Sequence, residues 1–339
     1  MTKRPGIKII FKIVFIALII IVISSSITYI VAAINMNKDI DIQTERVNNN
    51  FHDEIDSINE QDLSSFDLSL NPPINRVQTI ATHNSYKKKM PWFFYGTTRI
   101  ISSVFDVGAS YQYAHNTLIN QLNNGIRGME FDIRYQKEEF YIYHNALFDQ
   151  RTHNPKWSYS LKELLAWSEE NPEHTMINIL IELKTEKKIF NPYRKKLTDD
   201  MLMELSNSVI DILGEDKVLT PKDWQKDYDN LNQMVASDDW LTYEETKGKF
   251  VFLLHPNSEY TRKYINLDLT LDTLNIVPMI NSDNVMDFED WSAFILDNTP
   301  SEFTKGLVDD NYFVRTRMDS GAIFDSQRFQ NAVWSGAQI

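Results

Sequence analysis

The stretch from Gly125 to His144 reads G-I-R-G-M-E-F-D-I-R-Y-Q-K-E-E-F-Y-I-Y-H. Its centre, Met129-Glu130-Phe131-Asp132-Ile133-Arg134, alternates apolar and charged residues with the period of a strand. Glu130, Asp132 and Arg134 therefore share one face, and Met129, Phe131 and Ile133 the other. A lone carboxylate on a buried face would be neutralised or expelled. Three charges there call for a cation or a paired network among them. A second short run, Phe140 to Tyr143, ends in His144. Two carboxylates, an arginine and a histidine at strand ends describe a site rather than a core.

Composition sets the outer limits. The chain has 339 residues, 42% hydrophobic and 12% aromatic, enough for one large domain with extensions. With no cysteine, disulfides, thiolate metal sites and cysteine nucleophiles are excluded, so a metal must be held by oxygen or imidazole. The formal net charge is -13. The first 34 residues hold Lys3, Arg4, Lys8 and Lys12 and no acid, which leaves -17 for the rest. A body that acidic is a poor nucleic-acid binder, since phosphate contacts dominate such affinity.

Three regions follow. In residues 1–34 the four bases precede an almost charge-free run from Ile13 to Ile34, long enough to span a bilayer as a helix. The basic flank predicts a single-pass anchor with the N-terminus in the cytoplasm and the rest outside the cell membrane. The rival is a cleaved signal peptide ending near Val31-Ala32-Ala33, which would leave the protein secreted. Residues 35–73 read as an acidic stalk or linker, with nine acids against Lys38 and Arg46 up to residue 70 and Asn71-Pro72-Pro73 closing it. Val47, Phe51, Ile55 and Ile58 fall at helical spacing within it. Residues 74–339 alternate short apolar strands with helical segments.

In that last region the predicted strands are Val77–Thr82, Ile126–Arg134, Phe140–Tyr143, Met176–Lys184, Val218–Thr220, Lys249–His255, Asn275–Ile280 and Tyr312–Asp319. Helices are expected over Asn116–Asn124, Ser160–Glu170 (capped by Ser158 or Ser160), Thr198–Leu213 and Gln327–Trp334. Six to eight strands with intervening helices suggest an α/β fold of the TIM-type (β/α)8 barrel, irregular or short of its last strand. The segment from Lys222 to Thr246 gives no clear pattern.

In such a barrel the strand ends converge on one mouth. They bring His83, Asn84, Glu130, Asp132, Arg134, His144, Glu182, Lys184, Arg315, Arg317 and Asp319 together. Asn84, Glu130, Asp132 and Glu182 are oxygen ligands suited to a hard cation, Ca2+ before Mg2+ because protein oxygens are many. Two histidines can divide proton transfer. A cation with Arg and Lys in one pocket calls for an anionic transition state such as a phosphoryl group. The residues thus point to a metal-assisted phosphodiesterase.

The motifs T-H-N-S-Y (82–86), Q-L-x-x-G-I-R-G-M-E-F-D-I-R (121–134), Y-H-N (143–145), I-E-L-K (181–184), V-L-T-P (218–221), V-R-T-R-M-D (314–319) and S-G-A-Q-I (335–339) resemble the calcium-dependent phosphatidylinositol-specific phospholipase C-like phosphodiesterases. The resemblance implies a TIM barrel. It implies His83 and His144 as the catalytic pair and Asn84, Glu130, Asp132 and Glu182 around calcium. Arg134, Lys184 and Arg317 are candidates for holding phosphate or polyol. Metal-free relatives have Asp after the first histidine and an arginine where Arg134 stands. This chain has Asn84, as the metal users do, together with Arg134.

The implied reaction starts from a phospholipid or glycerophosphodiester substrate and passes through a cyclic phosphate. One competing reading is a glycerophosphodiester phosphodiesterase, whose His-Arg-Gly is here His83-Asn84-Ser85. The other is a non-catalytic module that grips polyol phosphates, against which the two histidines argue. His83 alone is more often a capping or core residue. Lys184 equally suits an ion pair with Glu182 or Glu130, and Arg134 one with Asp132. His115, His153, His174 and His255 read as structural or surface. Lys87-Lys88-Lys89 beside Met90-Pro91-Trp92-Phe93-Phe94-Tyr95 suits either docking on lipid headgroups or a cover over the barrel mouth.

Overall fold

The computed structural model describes residues 7–65, 67–90, 113–145, 149–184, 195–256, 258–320 and 323–339. Its centre is a curled sheet of short parallel strands, an α/β arrangement consistent with a TIM-like barrel. The strands are β1 (Ala81–Thr82), β2 (Gly128–Gln136), β3 (Glu139–Ile142), β4 (Ile177–Leu183), β5 (Val218–Leu219), β6 (Phe250–Leu254), β7 (Val277–Asn281), β8 (Phe294–Leu296) and β9 (Phe313–Arg315). Spatial order is β1-β2-β4-β6-β7-β8-β9, parallel throughout, with β5 beside β6 and β3 beside β2.

The strands are apolar enough to be buried on both sides, as parallel strands require. Phe250, Val251, Phe252 and Leu253 are fully buried, as are Ile177, Ile179 and Ile181. Trp224, Trp240, Phe294 and Phe313 meet at ring separations of 5.0–5.8 Å, and Trp157 sits edge-on to Phe131 and Phe252.

The helices named below are α1 (Ile7–Asn48), α2 (Leu118–Asn123), α3 (Trp157–Glu170), α4 (Asp199–Leu213), α5 (Ser258–Ile265), α6 (Glu302–Asp309) and α7 (Ser326–Ser335). Helix α4 follows its sequence signals closely. Thr198 caps it by accepting from the Met201 amide, and Gly214, at φ +92, ends it. Helix α3 does not: neither Ser158 nor Ser160 caps it. Its N-cap is Lys156, whose backbone N–H donates to Gln43 Oε1 of α1 at 2.9 Å. A distant side chain supplies what local sequence was expected to supply.

Other expectations shift in informative ways. Phe140–Tyr143 was expected as a barrel strand, but β3 runs antiparallel to β2. Lys137 and Glu138, both at positive φ, make the two-residue turn between them, the conformation that matches hairpin twist. The strand expected to reach Asp319 stops at Arg315; Asp319–Ser320 pairs instead with Ile323–Phe324 in a small hairpin. Strand β8 was not expected at all, because three apolar residues carry no period.

Residues 337–339 join the two edges of the curled sheet. The Ile339 N–H donates to Val314 O and its carbonyl accepts from the Thr316 N–H, the pattern of a parallel pair. On the other side the Thr79 N–H donates to Gln338 O at 2.8 Å.

The segment read as an acidic stalk lies against the barrel. Asp39, Gln43 and Phe51 are buried, and Met36 and Ile40 of α1 pack on Tyr141 and Tyr143. Among the described residues no helix is long and apolar enough to cross a membrane. Many side chains of the Ile13–Ile34 run lie outside those residues, although its backbone belongs to α1.

Candidate active site

Three carboxylates form the centre. Glu130 and Asp132 project from one face of β2, and β4 brings Glu182 directly opposite Asp132. One oxygen from each lies within 4.8 Å of the others. Asp132 is fully buried, and neither of its oxygens has a hydrogen-bond partner. Lys184 Nζ stands 3.3 Å away, within ion-pair range only. Burial pushes the Asp132 carboxyl up to about 6, with Glu182 adding to the effect and Lys184 and Arg134 opposing it. A buried carboxylate whose oxygens accept no hydrogen bond, beside two more carboxylates, is a site suited to further positive charge. Its all-oxygen donors suit a hard cation, and calcium fits them.

Glu130 behaves in the opposite way. Burial works against its charge, but His83, Arg315, His255 and Lys184 together hold it down at about 2. Its Oε1 is 3.3 Å from His83 Nε2 and its Oε2 is 2.9 Å from Arg315. The strand register accounts for this: β9 carries Arg315 into the interior, and Asn298 holds the guanidinium from the other end at 2.6 Å.

His83 and Asn84 follow β1. Asn84 is buried in the left-handed region at φ +52, which Asn tolerates better than other non-glycine residues. Its Nδ2 donates to Tyr113 Oη at 2.6 Å and its Oδ1 accepts from Tyr86 at 3.2 Å. The Tyr113 hydroxyl lies 3.0 Å from His83 Nδ1, and His115 Nε2 meets the His83 carbonyl at 2.9 Å. Burial lowers His83 to about 4, against Glu130 and with help from Arg317 and Arg315, so it is neutral at pH 7.

His144 lies two residues past the end of β3. Its Nδ1 is 2.7 Å from Asp149 Oδ2. Asp149 and Lys87 are both fully buried, paired at 2.9 Å, and Lys87 also donates to the Tyr113 carbonyl at 3.2 Å. Lys87 therefore belongs to the support of His144 and not to an exposed basic patch. Lys88 is likewise tied to Asp39 at 2.9 Å. The aromatic run at Trp92–Tyr95 lies outside the described residues.

The remaining candidates divide. Lys184 bridges Glu182 at 2.5 Å and Asp132, at the rim of the carboxylate cluster. Arg134 turns its guanidinium to the backbone, donating to the carbonyls of Tyr143 and His144 and lying over the Tyr143 ring. In that geometry it holds the His144 loop. Arg317 lies past the end of β9 and pairs with Asp319 at 3.0 Å. With His83, Glu130 and Arg315 it lines a cavity of roughly 340 Å³. Asp149, Lys87, Tyr113 and His255 were not anticipated as site residues. His255 gave a signal, since it ends a strong strand. Burial lowers its pKa while Glu130 and Glu182 oppose.

A TIM-like α/β fold with a hard-cation carboxylate cluster flanked by two histidines defines a metal-assisted phosphodiesterase. A match to the family described as phosphoinositide phospholipase C, Ca2+-dependent, covers residues 73–139 and 134–339. The chain belongs to that family. Similar folds include the calcium-dependent phosphoinositol-specific phospholipase C from a Pseudomonas species in its apo form. That structure has TM-score 0.56 and 15% identity, and the match covers 80% of this chain and 91% of that one. Its myo-inositol complex gives TM-score 0.56 and 15% identity over 79% and 89%. The Streptomyces antibioticus Ca2+-dependent enzyme gives TM-score 0.50 and 15% identity over 72% and 82%. No curated protein matches the chain.

Proposed function

We propose that this protein is a membrane-anchored, extracellular phosphodiesterase that cleaves an inositol or similar polyol phosphodiester through a cyclic phosphate. The observation that carries the reading is the Glu130–Asp132–Glu182 cluster set beside two histidines, each paired with a carboxylate. Glu130, Asp132, Glu182 and the nearby Asn84 would hold calcium. The ion, when bound, supplies positive charge to a phosphoryl oxygen and acidifies the attacking hydroxyl.

The chain's own groups divide the rest. His83, neutral at pH 7, takes the proton of the hydroxyl next to the phosphodiester, and the Glu130 carboxylate beside it stabilises the imidazolium that results. His144, oriented through Nδ1 by Asp149, gives a proton from Nε2 to the departing oxygen. Lys184 and Arg317 supply charge for phosphate or polyol. Arg134 fixes the loop from which His144 acts.

The hydrogen bonds of residues 338–339 to Val314, Thr316 and Thr79 are the support for reading the curled sheet as a full barrel. The anchor rests on the Ile13–Ile34 run and its basic flank. Val14, Phe15, Ile16, Ile19, Ile27, Ile30 and Ile34 along α1 are exposed, as lipid-facing residues would be.

The test is to incubate the full-length chain in detergent with phosphatidylinositol and with glycerophosphoinositol. Each is run with calcium or with chelator and followed by phosphorus NMR. A calcium-dependent cyclic phosphate is the expected product. Acyclic phosphate from the start would instead indicate a glycerophosphodiesterase. Protease accessibility in intact cells and resistance to alkaline extraction check the anchor and its orientation.

A further inference from the structure

We propose that Asp39, on the N-terminal helix, is a positioning residue for His144, so that the helix leading to the membrane is also part of the catalytic support. The inference rests on the assignment of His144 as the proton donor.

Asp39 is fully buried although it lies in a segment rich in solvent-facing acids. It accepts four hydrogen bonds: Arg151 Nε at 2.8 Å, an Arg151 terminal nitrogen at 3.0 Å, Lys88 Nζ at 2.9 Å and the Thr152 backbone N–H at 3.2 Å. These donors come from two segments that lie side by side. Lys87 and Thr152 form an antiparallel bridge, and the Lys88 N–H donates to the Arg151 carbonyl at 3.2 Å. One segment carries Lys87 and the other Asp149, the two buried groups behind the His144 imidazole. Asp39 pins the pair of segments from outside, one residue from Lys87 and two from Asp149.

The same helix reaches His144 from a second direction. Met36 and Ile40, within one turn of Asp39, pack on Tyr141 and Tyr143, the residues that lead to His144. Arg134 grips the Tyr143 and His144 carbonyls from the barrel side. The His144 loop is thus held between β2 and α1. A buried carboxylate with four donors is costly to remove. Among the described residues Gln43, one turn on, is hydrogen-bonded to Lys156 and Ser160 at the start of α3 and shares no hydrogen bond with Lys87 or Asp149.

The experiment compares the full-length wild type with Asp39→Ala, Asp39→Glu, Arg151→Ala and Gln43→Ala in steady-state turnover and in imidazole NMR. Asp39→Ala should lower kcat by about 10- to 100-fold with KM nearly unchanged, Arg151→Ala should lower it in the same direction, and Asp39→Glu should restore part of the rate. The His144 ring signals should shift or broaden in Asp39→Ala. Gln43→Ala should melt earlier yet keep kcat within about twofold. Folded Asp39→Ala with wild-type kcat and unshifted His144 signals overturns the inference. So does a Gln43→Ala variant that loses as much rate, since any weakening of the helix would then suffice. If Asp39→Ala does not fold, wild-type turnover and ring signals in Arg151→Ala overturn it. A wild type that turns over no phosphodiester overturns the functional assignment instead, and the NMR comparison still judges the positioning of His144.

Discussion

Asp149 Oδ2 lies 2.7 Å from His144 Nδ1 and 2.9 Å from Lys87 Nζ. One buried carboxylate therefore orients His144 and is itself neutralised by a buried lysine. Asp149→Asn should lower kcat by about 100-fold, because the amide no longer stabilises the imidazolium or enforces its tautomer. It also leaves Lys87 buried without its counter-charge, which should reduce unfolding stability by about 3 kcal/mol. Steady-state kinetics and urea unfolding read the two effects separately.

Calcium should raise the melting temperature, since it binds the folded cluster and not the unfolded chain. Asp132→Asn should abolish that rise and at the same time make the calcium-free protein more stable. Substitution removes a charge that is buried without hydrogen bonds. Melting curves with calcium and with chelator would show both changes. A variant that keeps the full calcium shift would remove Asp132 from the ligand set.

His174 is buried between Ser168 Oγ, at 2.9 Å, and the Thr175 carbonyl, at 2.8 Å. Burial lowers its pKa to about 4. The unfolded chain binds its proton near 6.5, so between about 6.5 and 4 the unfolded state carries more protons than the native state. Its contribution to stability is present in full above that window and is lost as pH falls through it. The limiting slope is about 1.4 kcal/mol per pH unit. Urea unfolding at several pH values should show a shallower slope for His174→Gln than for the wild type.

Gly128 opens β2 where it faces β1. A Cβ there would sit 2.4 Å from the Ala81 Cβ and 3.1 Å from its Cα. Gly128→Ala must therefore push β1 outward. A loss of about 1–3 kcal/mol is expected from overpacking, together with lower turnover because β1 delivers His83 and Asn84. Thermal melts and kinetics test the two together.

Much of the site was legible because strand alternation is a local rule. The period-two pattern in Met129–Arg134 put Glu130, Asp132 and Arg134 on one face, and Glu182 entered in the same way from its own strand. Arg134 shows where such reading stops. Alternation fixes the face of a side chain but not the partner, and its partners are carbonyls on a returning hairpin. Lys87 is a sharper case. Within a run of three lysines it looked exposed, and the approach of Asp149, with the Tyr113 carbonyl, makes burial of that charge tolerable.

The sequence by itself determined most of the strands, the carboxylates on their common face, the two histidines and the apolar N-terminal run, because each follows from residue type and short-range spacing. Tertiary structure alone decided how the N-terminal helix is used. Asp39, Gln43 and Arg46 meet partners more than a hundred residues away, at Arg151, Lys156 and Glu163. Periodicity carries no information over that distance. What places those groups is the tertiary fold, which brings residues 151–152 and the first two turns of α3 under one face of α1.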